Sequence, residues 1–393
     1  MQYTLLVTDR NLTVVGDPIV CWTSLDITLR FNEPGSGQAV LPGYPWIRDQ
    51  LQTGNRIVAI RGPDVRLGLA GQVLLAGPIE ERLYERSDDG ENAGDGKLTV
   101  TWADDLAWIA GRVVYPNPAK TPEQQDIDEW TYTGTAELAM RALVDLNAGP
   151  HALAARRVPR LALGAVAGIG SAVSVTSRLE TATDVLRRIA DTGGGLGFRT
   201  RQDGSQILFE VYQPQDRSGE VRFSFALGNL KYVGYTLEAP KISAAIVGGQ
   251  GTGADRYLIE RVDAASVAAW GRVETLVSRP GTDPVADLQA AGDEALKDQS
   301  QNARLATTTM DTPSQRYGVH YDIGTTAAVQ IWPGEVLTDR VTTVHLQAYA
   351  TADEVVTATI GSQAASYDPA WVQRLRAIDS RVGRLERTVL PAH

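Results

Sequence analysis

The sequence predicts a mainly β chain of the α+β class, ordered as β, then α+β, then β, then one terminal helix. Three observations predict it. Apolar and polar residues alternate between turn-forming clusters over residues 1–103 and again over 223–365. Capped helical patterns are concentrated between them, over 104–222. The last segment, 366–393, carries apolar residues at alternating steps of four and three.

A length of 393 residues sets a prior of two to four domains. With 43% hydrophobic and 21% charged residues, the chain can bury ordinary cores. The 38 glycines and 19 prolines call for many turns. A net charge of −10, spread along the chain, argues against a protein that grips nucleic acid by its phosphates. Cys21 is the only cysteine, which excludes an intramolecular disulfide and any zinc site built on two or more cysteines of one chain. The start, MQYTLLVTDR, lacks the basic and apolar regions of a signal peptide, and the charge-free stretch 161–175 is too short to cross a bilayer. The expectation is a protein made in the cytoplasm, with no membrane span.

In the first β segment, YTLLVT and LTVV flank the turn DRN. CWTSLDITLRF alternates, RIVAIRG follows a polar break, and GQVLLAGPIEERLYE with KLTVTW reads as a long hairpin. Its connection, 86–96, has loop composition and does not fit the spacing of an EF-hand calcium loop. In the next segment ADDLAWIAG reads as a short helix capped by Asp104. A second helix, over 135–150, has a threonine cap and periodic Leu138, Met140, Leu143 and Leu146. The third, 180–195, pairs Thr181 with Asp184 in a capping box and stops at a glycine run. LGFRTRQDGSQILFEVY reads as a hairpin turning at Asp203-Gly204. Strands return with VRFSFA, LKYVGYTLEA, KISAAIVGG and DRYLIERV; a helix opens at Asp283-Pro284; and TAAVQI, VLTDRVTTVHLQAYA and EVVTATIG close the segment.

Catalytic constellations are sparse. His151, His320, His345 and His393 are isolated, and no Walker A sequence or nucleophile elbow occurs. GGQGTGAD, 248–255, follows a strand but no helix pattern follows it, so it reads as a hairpin loop rather than a phosphate cradle. Asp126, Asp128 and Glu129 cluster beside Trp130; paired carboxylates can cleave glycosides, but without a framing motif the cluster reads as a solvated loop. No catalytic, cofactor or metal residue is assigned.

The terminal segment carries the one candidate functional set. Asp368 and Pro369 start the helix. Leu375, Val382 and Val389 take heptad position a, and Trp371, Ile378 and Leu385 take d. Arg374 and Arg381 then fall at g, with Asp379 and Glu386 at e, which gives two opposite-charge pairs in a parallel coil. RLRAID and RVGRLE both fit the pattern Arg-apolar-x-x-apolar-acid, which resembles the trimerisation motif of short parallel coiled coils. The core residues alone leave two and three strands open. Gly383 costs about 1 kcal/mol against alanine, and each exposed pair gives less than about 1 kcal/mol. Such a coil needs copies already held together elsewhere. The competing reading packs this amphipathic helix on its own subunit.

Taken in order, LLVTDRNLTVVGD, SLDITLRFNEPGSGQAVLPG, AGPIEERLYE…KLTVTWADDLAWIAGRVVYP, SRLETATDVLRRIADTGGGLGFRTRQDGSQILFEVYQPQDRS and VRFSFALGNLKYVGYTLEAPKISAAIVGGQGTGADRYLIE resemble the tail-hub, or tail-associated, minor tail proteins of long-tailed bacteriophages, especially those of actinobacterial siphophages. WGRVETLVS and VLTDRVTTV extend the resemblance to most of residues 1–365. It implies two β-barrel-like hub domains, 1–103 and 223–365, flanking the 104–222 insert, with the coil at 366–393. It further implies a homotrimeric ring in the virion that joins the hexameric tail tube or distal tail ring to a threefold tip. Tape-measure protein and then DNA would pass through the ring, and a downstream tip or receptor-binding protein would dock at the coil. The role is structural, so no catalytic residue carries over, and any hydrolase activity is expected on another chain. Two other readings stand beside it: a receptor- or cell-wall-binding tail-tip subunit, and a cell-wall hydrolase using Asp126, Asp128 or Glu129.

Overall fold

The computed structural model describes residues 3–63, 71–88, 94–279, 285–299, 302–350 and 352–361. The terminal coil and its ten candidate residues lie outside them. The described chain is mainly β and divides into two compact units, one made of the first 232 residues with Thr307–Gly361, the other of Val233–Ala306.

In the first unit, β1 (Tyr3–Thr8), β2 (Ser24–Arg30), β3 (Ser36–Pro42), β4 (Arg56–Arg61), β5 (Gln72–Glu85) and β6 (Lys97–Ala103) come from the first β segment, with a short helix α1 (Pro45–Gln50). The turn after β1 is built as its residues require: the Asp9 carboxylate accepts from the amides of Asn11 and Thr13, each at 2.8 Å. β5 and β6 form the long hairpin read from the sequence, in register from Glu85 opposite Lys97.

The insert follows. Its elements are α2 (Leu106–Ala110), β7 (Trp130–Thr135), α3 (Ala136–Asn147), β8 (Leu161–Leu163), β9 (Ala172–Ser177), α4 (Ala182–Thr192), β10 (Gly197–Asp203) and β11 (Gln206–Tyr212). β10 and β11 pair from Asp203 opposite Gln206, with Gly204 at φ +55 in the turn. α4 begins as its capping box predicts: the Thr181 hydroxyl accepts from the Asp184 amide and donates to its carboxylate at 2.6 Å. α3 and α4 pack their apolar faces into one core with Trp130, Phe198 and Phe209. The stripe on α3 differs from the expected one. Leu138 is exposed, and Glu137 beside it is buried, because the Glu137 carboxylate accepts from the amides of Ala167 and Ile169 at 2.7 and 3.0 Å.

The chain then runs through β12 (Arg222–Phe223) and β13 (Leu230–Glu238). The second unit holds β14 (Ala244–Gly248), β15 (Leu258–Val262), α5 (Ala264–Trp270), β16 (Glu274–Ser278) and α6 (Val285–Asp298). β14 is central, antiparallel to β15 and parallel to β16, and α6 buries Leu288 and Ala291 against Val247. GGQGTGAD is the connection between β14 and β15, a hairpin loop as read. β17 (Asn302–Thr309), which pairs with β13, leads to β18 (Thr326–Trp332), β19 (Glu335–Tyr349) and β20 (Ala352–Ile360).

These last strands return to the first sheet. Its order is β1-β4-β5-β6-β3-β2-β19-β18-β12, with β20 also paired to β19. The joining pair is β2 with β19, antiparallel from Ser24 opposite Tyr349 to Arg30 opposite Thr343. The sequence reading treats the two β segments as separate barrel-like domains. Strands of both share this one open sheet, and no sheet among the described residues closes into a barrel. The reason is the length of β19: its first half pairs with β18, and its second half is left free to take β2 and β20. β20 has its own outer edge occupied by threonine side chains. Thr307 Oγ1 accepts from the Ile360 amide at 2.8 Å, and Thr309 Oγ1 from the Ala358 amide at 3.1 Å.

Two substitutions test this account of the insert. Thr181→Ala should lower stability by about 1 kcal/mol through loss of the cap. Leu186→Ala, at a fully buried position of α4, should lower it by about 2–5 kcal/mol. Urea unfolding of the purified chain measures both, and equal effects would contradict the packing described.

Candidate functional site

β4 reads RIVAIR and places an arginine at each end, and both are buried at 2% exposure. Such charges are tolerated only when paired and hydrogen-bonded. Arg56 is chelated by Asp105, with Nε 3.0 Å from Oδ1 and Nη2 on Oδ2. Its Nη1 also donates to the Thr8 hydroxyl at 2.9 Å. Gln202 Oε1, from β10, lies 3.4 Å away. Arg61, at the other end, sets Nη2 2.7 Å from Glu354 Oε1 on β20. Near it, Tyr321 donates its hydroxyl to Asp311 at 2.6 Å, and the Tyr317 amide donates to the same carboxylate at 3.0 Å.

Beside the first pair sits Asp104. Its two oxygens accept from the amides of Leu106 (2.7 Å) and Gly35 (2.8 Å), so it ties the first turn of α2 to the loop before β3; the N-cap position itself falls on Asp105, one residue later than expected. Burial pushes its carboxyl up to about 7, against the pull of these hydrogen bonds. Burial likewise pushes Asp311 up to about 6, despite the Tyr321 hydroxyl. A cavity of about 210 Å³ opens here, lined among others by Asp104, Asp105, Arg201, Gln202, Tyr317 and Asp322. It is below the usual size of a small-molecule site and mixes both signs of charge. Its lining brings together β5, the start of α2 and β10.

The residues singled out in the sequence fall elsewhere. Asp126 accepts from Lys120 Nζ at 2.5 Å and Asn117 Nδ2 at 2.7 Å on an exposed loop. Those bonds, Lys120 first, hold its carboxyl below the ordinary range, whereas a glycosidase acid needs it raised. Trp130 is buried in the core of the insert. His151 pairs with Asp145 at 2.9 Å, His320 Nδ1 accepts from the Arg316 amide at 3.0 Å, and His345 meets Asp26 at 2.7 Å. Among the described residues, no three of His, Cys, Asp and Glu converge as metal ligands. The sequence reading missed the buried arginines. The available signal was an arginine on both flanks of an otherwise apolar run.

The fold is that of phage tail proteins. At 14% identity and a TM-score of 0.52, it matches the tail protein from Neisseria meningitidis MC58, over 92% of this chain and 97% of that one. A second match is the 43 kDa tail protein of prophage MuSo2 from Shewanella oneidensis, with 10% identity, a TM-score of 0.53, and coverage of 92% and 98%. Prophage tail protein gp18 from Listeria monocytogenes EGD-e matches with 11% identity, a TM-score of 0.50, and coverage of 95% and 98%. No curated protein matches the sequence. Over residues 4–362 the chain matches the siphovirus ReqiPepy6 Gp37-like proteins, and it belongs to that family. The resemblance to siphophage tail proteins drawn from the sequence is borne out at this level.

The junction is open to two tests. Arg56→Met leaves Asp105 buried and unpaired and should cost about 3–5 kcal/mol, while Arg56→Met with Asp105→Leu should recover most of it. Asp104 and Asp311 have folded pKa values above the unfolded one, so the folded chain binds more protons between about pH 4 and 7. Their contribution is full below pH 4 and is lost as pH rises through about 6 to 7, by up to about 1.4 kcal/mol per pH unit for each group. Urea unfolding across that range should show the fall, and Asp104→Asn with Asp311→Asn should flatten it.

Proposed function

We propose that the chain is a structural hub of a siphophage tail tip and works as a homotrimeric ring in the virion. The observation that carries this reading is the overlap of fold with phage tail proteins along more than nine-tenths of the chain, together with the family match. The ring would join hexameric tail-tube or distal tail rings to a threefold tip. Tape-measure protein and then DNA would pass through it. The terminal helix, seated through Trp371, Leu375, Ile378, Val382, Leu385 and Val389 and flanked by the Arg374–Asp379 and Arg381–Glu386 pairs, would organise or dock the next tip protein on the threefold axis. The chain is made in the host cytoplasm and acts without catalysis of its own.

The test is absolute mass by light scattering over a range of concentrations, for the full chain and for a chain ending at Tyr367. A mass near three times 42.3 kDa for both is expected, with the β domains holding the ring. A monomer for both, at high concentration, would overturn the hub reading.

A further inference from the structure

The three-stranded sheet of the second unit has one face covered by α6 and the other exposed. Alternation separates the two. Val247, Ile259 and Val277 point to α6, which packs on them. The opposite face shows Leu258 and Val262 of β15, Ile246 of β14 and Leu276 of β16, placed side by side by the register. Leu258, Val262 and Leu276 are exposed, at 55%, 41% and 60%. Two carboxylates stand among them. Glu260 and Glu274 share the one guanidinium of Arg272, whose Nε lies 2.7 Å from Glu274. Arg256 closes one end of the face, donating to the Gly248 carbonyl at 2.9 Å and the Ser278 hydroxyl at 2.6 Å. An apolar patch that carries two carboxylates on one shared cation suits a basic amphipathic segment. A second copy docked through the same face would set these carboxylates against their own kind.

The chain itself carries such a segment. Residues 366–393 hold five arginines against Asp368, Asp379 and Glu386, a net +2. The second unit, Val233–Ala306, holds ten carboxylates and seven cations, a net −3. Sizes agree as well. The seam from Leu375 to Leu385 covers about 15 Å as a helix, and a five-residue strand covers about 16 Å. The place where the described chain ends also fits. The Ile360 amide donates to the Thr307 hydroxyl at 2.8 Å, and Thr307 directly follows Ala306, the last residue of the second unit. Residues 362–393 therefore depart beside the covalent entry to that unit. The nine residues before Trp371 reach up to about 30 Å.

We propose, resting on the hub reading, that the exposed face of the β15–β14–β16 sheet seats the chain's own terminal helix until the ring forms. Docking covers the seam in the free chain, and ring formation draws the helix off to the threefold axis, where three seams meet. The test uses the full chain with Cys21→Ser, which removes its one native thiol. Leu276→Cys and Ile378→Cys are added, and disulfide formation is followed on non-reducing gels under mild oxidation across a range of concentrations. In dilute protein the bond should form within one chain, at about fivefold or more the yield of a control pair, Glu294→Cys with Ile378→Cys, whose first position lies on α6. The yield should fall as light scattering reports the trimer. A second readout needs no new thiol. Leu258→Asp with Leu276→Asp should speed tryptic cleavage at Arg374–Arg387 in dilute chain by about fivefold or more, as the helix loses its seat. A yield no higher than the control at every concentration, a bond that forms only between chains, or cleavage unchanged by the double variant would overturn the docking. With a trimeric mass, any of those results leaves the hub reading standing. A single-chain mass at every concentration is the separate result that removes the hub, and with it the transfer to the axis.

Discussion

Two buried arginines on one short strand hold together parts of the chain that lie far apart in sequence. Arg56 joins β4 to β1 through Thr8, to the start of the insert through Asp105, and approaches β10 through Gln202. Arg61 joins the same strand to β20 through Glu354, nearly three hundred positions later. A buried ion pair gives little net stability against an apolar substitute, but breaking one is costly. Its value here is specificity. A sheet that mixes strands from both ends of a chain has many near-equivalent registers, and a one-residue slip on β4 would strand a charge in the core. The arginines make such errors expensive where hydrophobic alternation alone would tolerate them.

The insert is fastened to the sheet by a different kind of bond, side chain to backbone. Asn32, in the turn after β2, donates to the Leu196 carbonyl at 3.0 Å and accepts from the Phe198 amide at 2.8 Å. Arg340, on β19, donates to the Gly195 carbonyl at 3.2 Å. The glycine run that ends α4 is therefore also a docking point, and Gly195, at φ +73, needs the conformational freedom of glycine there. Backbone contacts of this sort place weak demands on most neighbouring side chains. That is compatible with a fold shared with other tail proteins at 10–14% identity over almost the whole chain.

Local structure was legible and long-range pairing was not. The β5–β6 hairpin, the turn at Gly204 and the Thr181 cap follow from residues within a few positions of one another. The pairing of β2 with β19 joins Thr28 to His345, and nothing in either strand names the other. The α3 stripe failed for a related reason. Leu138 looks like a core residue and Glu137 like a surface one until the 167–169 loop, remote in sequence, supplies two amides for the glutamate. Arg56 and Arg61 were invisible as buried groups because their partners lie at Asp105 and Glu354. The candidate trimerisation residues, 371–389, were read from spacing alone and lie outside the described residues.

That spacing nevertheless constrains any assembly. Under three heptads with a central glycine cannot associate at ordinary concentrations, because helix nucleation and the loss of independent motion outweigh a few apolar contacts. If three copies are first held by their β domains, the helices meet at an effective concentration set by a short tether, and the same contacts become sufficient. A weak coil is then better suited to the tip than a strong one. On the proposed hub reading it would add threefold order only where a ring already existed, and it would give free chains no route to associate by their ends before the ring formed.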